Sequence, residues 1–304
     1  MSEFDHIHWI RAQTPRRPRV LIGPGDDTAM LDWSGGRPCL VTTDMLLEGS
    51  CFELAGAGPY QVGRKAMAVN LSDIAAMAGV PVAAVVSVGL PRRGGEAIAR
   101  DLYRGLREMA DDFDTAIVGG DTNSWDGPLV ISVTLLGEPT ERGPVERKGA
   151  LPGDWLIVTG PLGGSILGKH LSFIPRVREA LLLHQQAPLH AMIDISDGLA
   201  QDVHHLCEES GCGAVLRAEG IPLTAAASKM NDDRSPLEHA LRDGEDFELA
   251  LAVAPEDGKR LCESQPVPGI QLSAVGEFVA DGFWLEEGGR RHSLQPKGYV
   301  HEFR

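Results

Sequence analysis

The sequence predicts two α+β domains, near residues 1–140 and 150–304. Short β-like apolar runs alternate with longer helical ones, and many of the 36 glycines fall at the joints. Between the halves, Gly137 to Gly153 is rich in Gly, Pro and charge, with Pro139, Pro144 and Pro152, and reads as a linker. A length of 304 residues by itself suits one large domain or two of ordinary size, with ample material for a buried core.

In the first half, Val20 to Ile22, Leu40-Val41, Val82 to Leu90, Thr115 to Val118 and Leu129 to Leu136 read as strands. Tyr60 to Ala78 and Glu96 to Phe113 read as helices. The longest uncharged stretch, Ile74 to Pro91, contains Gly79, Pro81 and Gly89, so it is read as a helix end and a strand, not a membrane span. The second half opens with a strand at Trp155 to Thr159, then helices near Arg176–Gln185 and Gly198–Glu209. A strand at Phe247 to Val253, a helix at Glu256–Ser264 and further strands complete it, with no short-period repeat.

Composition narrows the function. With 43 acidic against 28 basic side chains the formal charge is −15, which lacks the basic footprint that nucleic acid or an anionic membrane requires. The same acidity suits a protein that collects divalent cations around a phosphate-rich substrate. Met1 to Asp5 offers neither a basic nor an apolar leader region, so a cytoplasmic location is expected. Cys39, Cys51, Cys207, Cys212 and Cys262 form no CxxC pair, and Cys207 and Cys212 lack a second ligand pair for zinc. Reduced, mostly buried thiols are expected.

One pattern recurs: an apolar run, small residues, then aspartate. It occurs at Gly25-Asp26-Asp27, at Thr42-Thr43-Asp44, at Gly119-Gly120-Asp121-Thr122 and at Asp194-Ile195-Ser196-Asp197-Gly198. Strand ends deliver side chains to one rim of a sheet, and several carboxylates at one rim repel unless cations lie between them. Taken singly, each site is also an ordinary turn or helix cap. Asp73 tips the balance. It is the only charge from Ala66 to Pro91, and it shares a helix face with Ala66, Asn70 and Met77. A carboxylate on an apolar face costs several kcal/mol, by order of magnitude, unless a cation or strong donors meet it.

Few basic residues flank these motifs, so phosphate neutralisation falls to metal ions. Arg147 is the exception, with a guanidinium shaped for phosphate. Gly163 to His170 nearly spells a P-loop, but His170 stands where Ser or Thr should hold the metal, and a P-loop leaves the other aspartates unexplained. The ten histidines form no HExxH motif, and His204-His205 read as exposed helix residues.

Taken in order, the motifs resemble the thiamine-monophosphate kinase family, in the superfamily that includes aminoimidazole ribonucleotide synthetase. The resemblance runs from Glu3-Phe4 to Lys297-Gly298-Tyr299, and its most specific piece is Ala68-Val69-Asn70-Leu71-Ser72-Asp73-Ile74-Ala75-Ala76-Met77. Gly244-Glu245-Asp246-Phe247-Glu248-Leu249 is another. The resemblance implies an α+β, aminoimidazole ribonucleotide synthetase-like fold whose N-terminal mixed sheet pairs across a homodimer. It implies ATP-dependent phosphorylation of thiamine monophosphate to thiamine diphosphate with Mg²⁺ between the two phosphate-bearing ligands. By motif match the metal ligands would be Asp27, Thr42, Thr43, Asp44, Asp73, Asp121, Asp194 and Asp197. ATP would meet Tyr103, Gly120, Asp121, Arg147 and Ser196, and the acceptor would meet Cys51, Glu245 and Tyr299. The acceptor is a phosphate oxygen, already anionic, so no general base is required and no catalytic side chain is assigned; cations and in-line positioning carry the chemistry.

Two departures stand out. Cys51 precedes Phe52 where the family usually has histidine, and the segment between Gly164 and Pro175-Arg176 is short. A thiol is a poor substitute for imidazole as a hydrogen-bond partner, which leaves open a related ATP-dependent enzyme with another acceptor. A nucleotide- and metal-binding homologue without catalysis is a further alternative. Selenophosphate synthetase fits poorly, because no cysteine lies in a glycine-rich N-terminal segment.

Overall fold

The computed structural model describes residues 18–23, 25–34 and 37–299. Met1 to Asp5, and with it the Glu3-Phe4 end of the resemblance, lies outside the described residues. Among the described residues thirteen strands form two mixed sheets. The first holds β1 (Val20–Ile22), β2 (Ala29–Ser34), β3 (Arg37–Leu47), β4 (Gly79–Pro91), β5 (Ala116–Trp125) and β6 (Val130–Pro139), in the order β1-β2-β3-β6-β4-β5. The second holds β7 (Trp155–Thr159), β8 (Leu189–Asp194), β9 (Gly213–Arg217), β10 (Leu249–Val253), β11 (Leu272–Val279), β12 (Phe283–Glu287) and β13 (Arg290–Ser293), ordered β13-β12-β9-β11-β7-β10-β8.

Helices α1 (Leu54–Ala76) and α2 (Gly95–Asp112) follow the first sheet's strands. Buried Leu102, Gly105, Leu106, Met109 and Ala110 recur at helical spacing along α2 and face inward. From Val62 to Ala76, α1 is buried almost all round, as its apolar sequence requires. It kinks at Gly58 (φ 76), after which Pro59 restarts it, a residue suited to a helix's first position. The two helices touch backbone to backbone: a Cβ on Gly63 would meet the Leu102 carbonyl at 2.1 Å, and one on Gly105 the Tyr60 carbonyl at 1.9 Å. Only glycine permits that approach.

Alternation explains the second sheet. Ile157, Met192, Leu249 and Leu251 share one core with Leu71 and Ile74 of α1 and with Met77 at its C-cap. Their neighbours Leu156, Val158, Ala191, Ile193 and Ala250 face a second core with Leu199, Val203 and Leu206 of α5 (Leu199–Ser210). Both faces are covered, so the strands read as unbroken apolar runs. Each buried Leu, Ile or Met contributes about 1.5–3 kcal/mol over its exposed state. Among the described residues the first sheet instead leaves one face open, where Met45 is 60 % exposed and Val82 and Val85 are also exposed.

The remaining helices are α3 (Lys169–Ser172), α4 (Val177–Gln186), α6 (Pro236–Arg242) and α7 (Pro255–Ser264). Several sequence expectations need correction. The predicted linker begins too early, because Gly137 to Pro139 continue β6, with Gly137 opposite Leu40 and Pro81. The segment beyond is strapped down: Val145 N–H donates to Met77 O, Met192 N–H donates to Glu146 O, and Val145 and Ala150 are buried. Thr42 to Asp44 and Gly119 to Thr122 lie inside long strands, not at strand ends. β10 starts at Leu249, because Glu245 and Phe247 adopt positive φ (55 and 48). β2 and β9 carry too little alternation to have been predicted. Of the five free thiols only Cys207 is fully buried; the other four are half-buried. Among the described residues no helix is long and apolar enough to cross a membrane.

Candidate functional site

A cavity of about 810 Å³ opens between the two halves, toward the upper end of the ~300–1,000 Å³ usual for ligand sites. Four segments supply much of its polar lining. The loop after β1 supplies Asp26 and Asp27, β3 supplies Thr42 and Asp44, α1 supplies Lys65 and Asp73, and the end of β8 supplies Asp194, Ser196 and Asp197. Successive β3 side chains point to opposite faces. Thr42 Oγ donates to the Asp73 carboxylate on α1, while Thr43 Oγ bonds to Thr134 and to the Val133 carbonyl on the neighbouring strand. Asn70 organises this corner: its Nδ2 donates to Ala66 O at 3.0 Å, and its Oδ1 accepts from Asp44 N–H at 3.2 Å.

Asp27, Asp73 and Asp194 each offer a carboxylate oxygen, and the three oxygens lie within 4.8 Å of one another. Ser72 Oγ donates to Asp194. Arg147 closes the group from the other side, its Nε and Nη2 each 2.9 Å from the Asp27 carboxylate, while its backbone N–H donates to Asp26. One guanidinium does not balance the cluster. Burial and the Asp27 charge raise the Asp194 pKa to about 8, and burial with Asp27 raises Asp26 to about 7. Burial lifts Asp44 to about 6, and Asp73 is pushed well up by burial and by Asp44, Asp194 and Asp27. Buried like charges favour protonation or a bound cation. Closely grouped carboxylate and hydroxyl oxygens fit a hard divalent ion such as Mg²⁺ and do not fit a soft one.

The remaining expected residues divide. Asp44, Asp197, Thr42, Thr43, Cys51, Arg147, Ser196, Glu245 and Tyr299 all line the cavity. Asp121, Gly120 and Tyr103 do not. Asp121 pairs with Ser87, which pairs with Ser132, which pairs with Met45, so it belongs to the open face of the sheet, turned away from α1. β6 and β4 separate its strand from β3. Tyr103 is exposed on α2. The expectation that Asp121 joins Asp44 and Asp73 within one chain is therefore overturned by strand sidedness.

Sequence reasoning missed other cavity residues. Lys65, Val69 and Asp73 all line it and follow at four-residue spacing, a signal for a shared helix face. His205 also lines it; both it and His204 are half-buried, not exposed, and burial followed by Arg147 lowers the His205 pKa to about 4. Arg234 and Arg242 border the cavity beside α6, whose start is fixed by a Ser235–Glu238 capping box. Lys169, in the near P-loop, is bound to Glu248 at 2.9 Å in a buried network with Arg176 and forms no phosphate cradle.

Comparison with known proteins adds a second line. The AIR synthase related protein N-terminal domain matches residues 25–138, and the C-terminal domain of that family matches residues 164–283. A thiamine-monophosphate kinase of Rhodopirellula baltica is 42% identical over 98% of this chain and 97% of its own. That of Mycobacterium tuberculosis is 40% identical over 93% of this chain and 88% of its own. A solved structure described as AaThiL complexed with AMPPCP and TMP superposes with TM-score 0.84 at 28% identity, covering 99% of this chain and 97% of that one. Escherichia coli HypE, a hydrogenase maturation protein, matches with TM-score 0.71 at 18% identity over 98% of this chain and 99% of its own, a likeness of fold alone.

Proposed function

The chain belongs to the thiamine-monophosphate kinase family, and from that premise we propose that it phosphorylates thiamine monophosphate with ATP. A phosphate oxygen of the acceptor forms a bond to the γ-phosphorus, the bond from that phosphorus to the β,γ-bridging oxygen breaks, and thiamine diphosphate and ADP leave. The observation that carries this reading is the Asp27–Asp73–Asp194 cluster facing a cavity of about 810 Å³.

In this reading Asp27, Asp44, Asp73, Asp194 and Asp197, with Thr42, would hold Mg²⁺, whereas the Thr43 side chain, turned to the other face of β3, would not. When bound, the metal screens anion from anion and stabilises charge on the transferring group. Arg147 and Ser196 face the nucleotide, with Arg147 already oriented by Asp27. Cys51, Glu245 and Tyr299 form the acceptor wall, where a carboxylate suits the cationic thiazolium ring. A homodimer belongs to the same proposal. The open face of the first sheet carries exposed Met45, Val82 and Val85, which a second copy would cover, and Gly120 and Asp121 would then lie at the interface.

Purified protein incubated with ATP, Mg²⁺ and thiamine monophosphate is expected to yield thiamine diphosphate and ADP in equal amounts. Absence of product at enzyme concentrations near those of the substrates rejects the reading. Cys51 on the acceptor wall favours, as a second reading, transfer to a different phosphorylated acceptor. ADP release from another member of a metabolite panel, and none with thiamine monophosphate, supports it.

A further inference from the structure

Lys65 leaves the middle of α1 with its side chain 1% exposed, yet it lines the cavity. Its Nζ donates to the Cys51 carbonyl at 2.7 Å and to Glu245 Oε1. Lysine is rarely buried without a specific partner, because desolvating the ammonium is costly. α1 packs on the first sheet and Glu245 precedes β10 of the second, so this ion pair joins the two halves at the acceptor wall.

Glu245 sits in unusual backbone. Gly244, Glu245 and Phe247 have φ of 67, 55 and 48, and side-chain-bearing residues adopt such values only when their surroundings impose them. The backbone is held by Glu245 N–H to Ser196 O at 2.7 Å and Phe247 N–H to Ile195 O at 2.8 Å. Gly163 N–H also donates to Asp246 at 2.8 Å. None of these bonds fixes the Glu245 side chain; the contact with Lys65 does. That side chain remains 35% exposed, so it is anchored at one oxygen while still open to a ligand.

We propose that Lys65 is a positioning residue for the acceptor: by holding Glu245 through Oε1 it aims the carboxylate at the cationic ring portion of the acceptor. This rests on the acceptor wall assigned above. Lys65 acts through Glu245 and touches neither the nucleotide nor the transferring phosphoryl group. Its removal loosens acceptor binding and leaves the nucleotide site intact.

Initial rates of the full-length enzyme with Mg²⁺, ATP and thiamine monophosphate test this. Lys65→Met is expected to raise the acceptor KM about tenfold or more, with kcat and the ATP KM within about threefold of the parent. Lys65→Arg, which can still reach Glu245, should recover most of that loss. A double variant with Glu245→Gln should be no worse than Glu245→Gln alone, because residues acting through one contact are non-additive. An unchanged acceptor KM, an ATP KM raised as much as the acceptor KM, or effects that multiply in the double variant overturns the proposal. Should Lys65→Met not fold, the comparison rests on Lys65→Arg and Glu245→Gln. An acceptor KM unchanged in Glu245→Gln then overturns the proposal, and one raised selectively there and only slightly in Lys65→Arg supports it. Parent enzyme that makes no thiamine diphosphate rejects the function itself, whereas an active parent with a silent Lys65 rejects only this role.

Discussion

Where Asp27, Asp73 and Asp194 converge, negative charge faces negative charge with one guanidinium between them; at Glu245 a carboxylate meets an ammonium. There Lys65 pairs with Glu245, and Arg234 bridges Asp243 at 2.8 Å and Asp232 at 3.0 Å. His239, fully buried, lies between the same two carboxylates. Both regions line or border one cavity, yet the first sets three carboxylates against one guanidinium, while the second pairs Lys65 with Glu245 and Arg234 with Asp232 and Asp243. The difference separates a site that needs a cation before it can be fully ionised from a wall already set to receive an organic ligand.

The most severe way to break that contrast is Asp73→Asn. Removing one carboxylate from the cation site is expected to lower transfer by about a thousandfold or more, an order typical of losing preorganised charge stabilisation. Because like charges are relieved, the metal-free variant should melt no lower than the parent by calorimetry. A parent-like rate, or a large drop in Tm, would contradict the role given to Asp73.

Glu245→Ala probes the acceptor wall, and its effect on stability should be the reverse. It strands the Lys65 ammonium, so denaturant unfolding should show a loss of about 3–5 kcal/mol, the range for breaking a buried pair. That figure is an upper bound, because Glu245 is partly exposed and solvent screens its charge.

The pH dependence sharpens the comparison further. A carboxyl whose pKa is raised on folding favours the protonated state, so its contribution is full below the unfolded value near 4 and is lost as pH rises through the folded value. For Asp44, Asp26 and Asp194 those folded values are about 6, 7 and 8. Metal-free protein should therefore lose stability progressively from about pH 4 to pH 8. Mg²⁺ should raise Tm more at about pH 8 than at about pH 5.5, because its ligands must be deprotonated. Equal shifts at both pH values would show that the cluster is not where the ion binds. The smallest effect belongs to the exposed pair Arg92–Asp126, 3.2 Å apart. Its removal should change stability by less than about 1 kcal/mol and leave transfer untouched.

Legibility in the sequence followed the same division. Asp73 was readable because a lone charge on an apolar helix demands a partner, and β7 was readable because a five-residue apolar run between turn signals has few alternatives. Thr42 and Thr43 were not separable: adjacent strand residues face opposite ways, and the sequence does not say which faces α1. Asp121 failed for the same reason, being carried by an edge strand onto the open face. Lys65 was hidden because its partner lies 180 residues away, beyond any local pattern.

The most direct test is anomalous scattering from crystals grown with Mn²⁺, a Mg²⁺ substitute, and a non-hydrolysable ATP analogue. The expected result is a peak bridged by Asp27, Asp73 and Asp194 at about 2.0–2.3 Å from their oxygens, near the distances of hard-cation coordination. Crystals that hold the nucleotide but show no peak among these three carboxylates would contradict it.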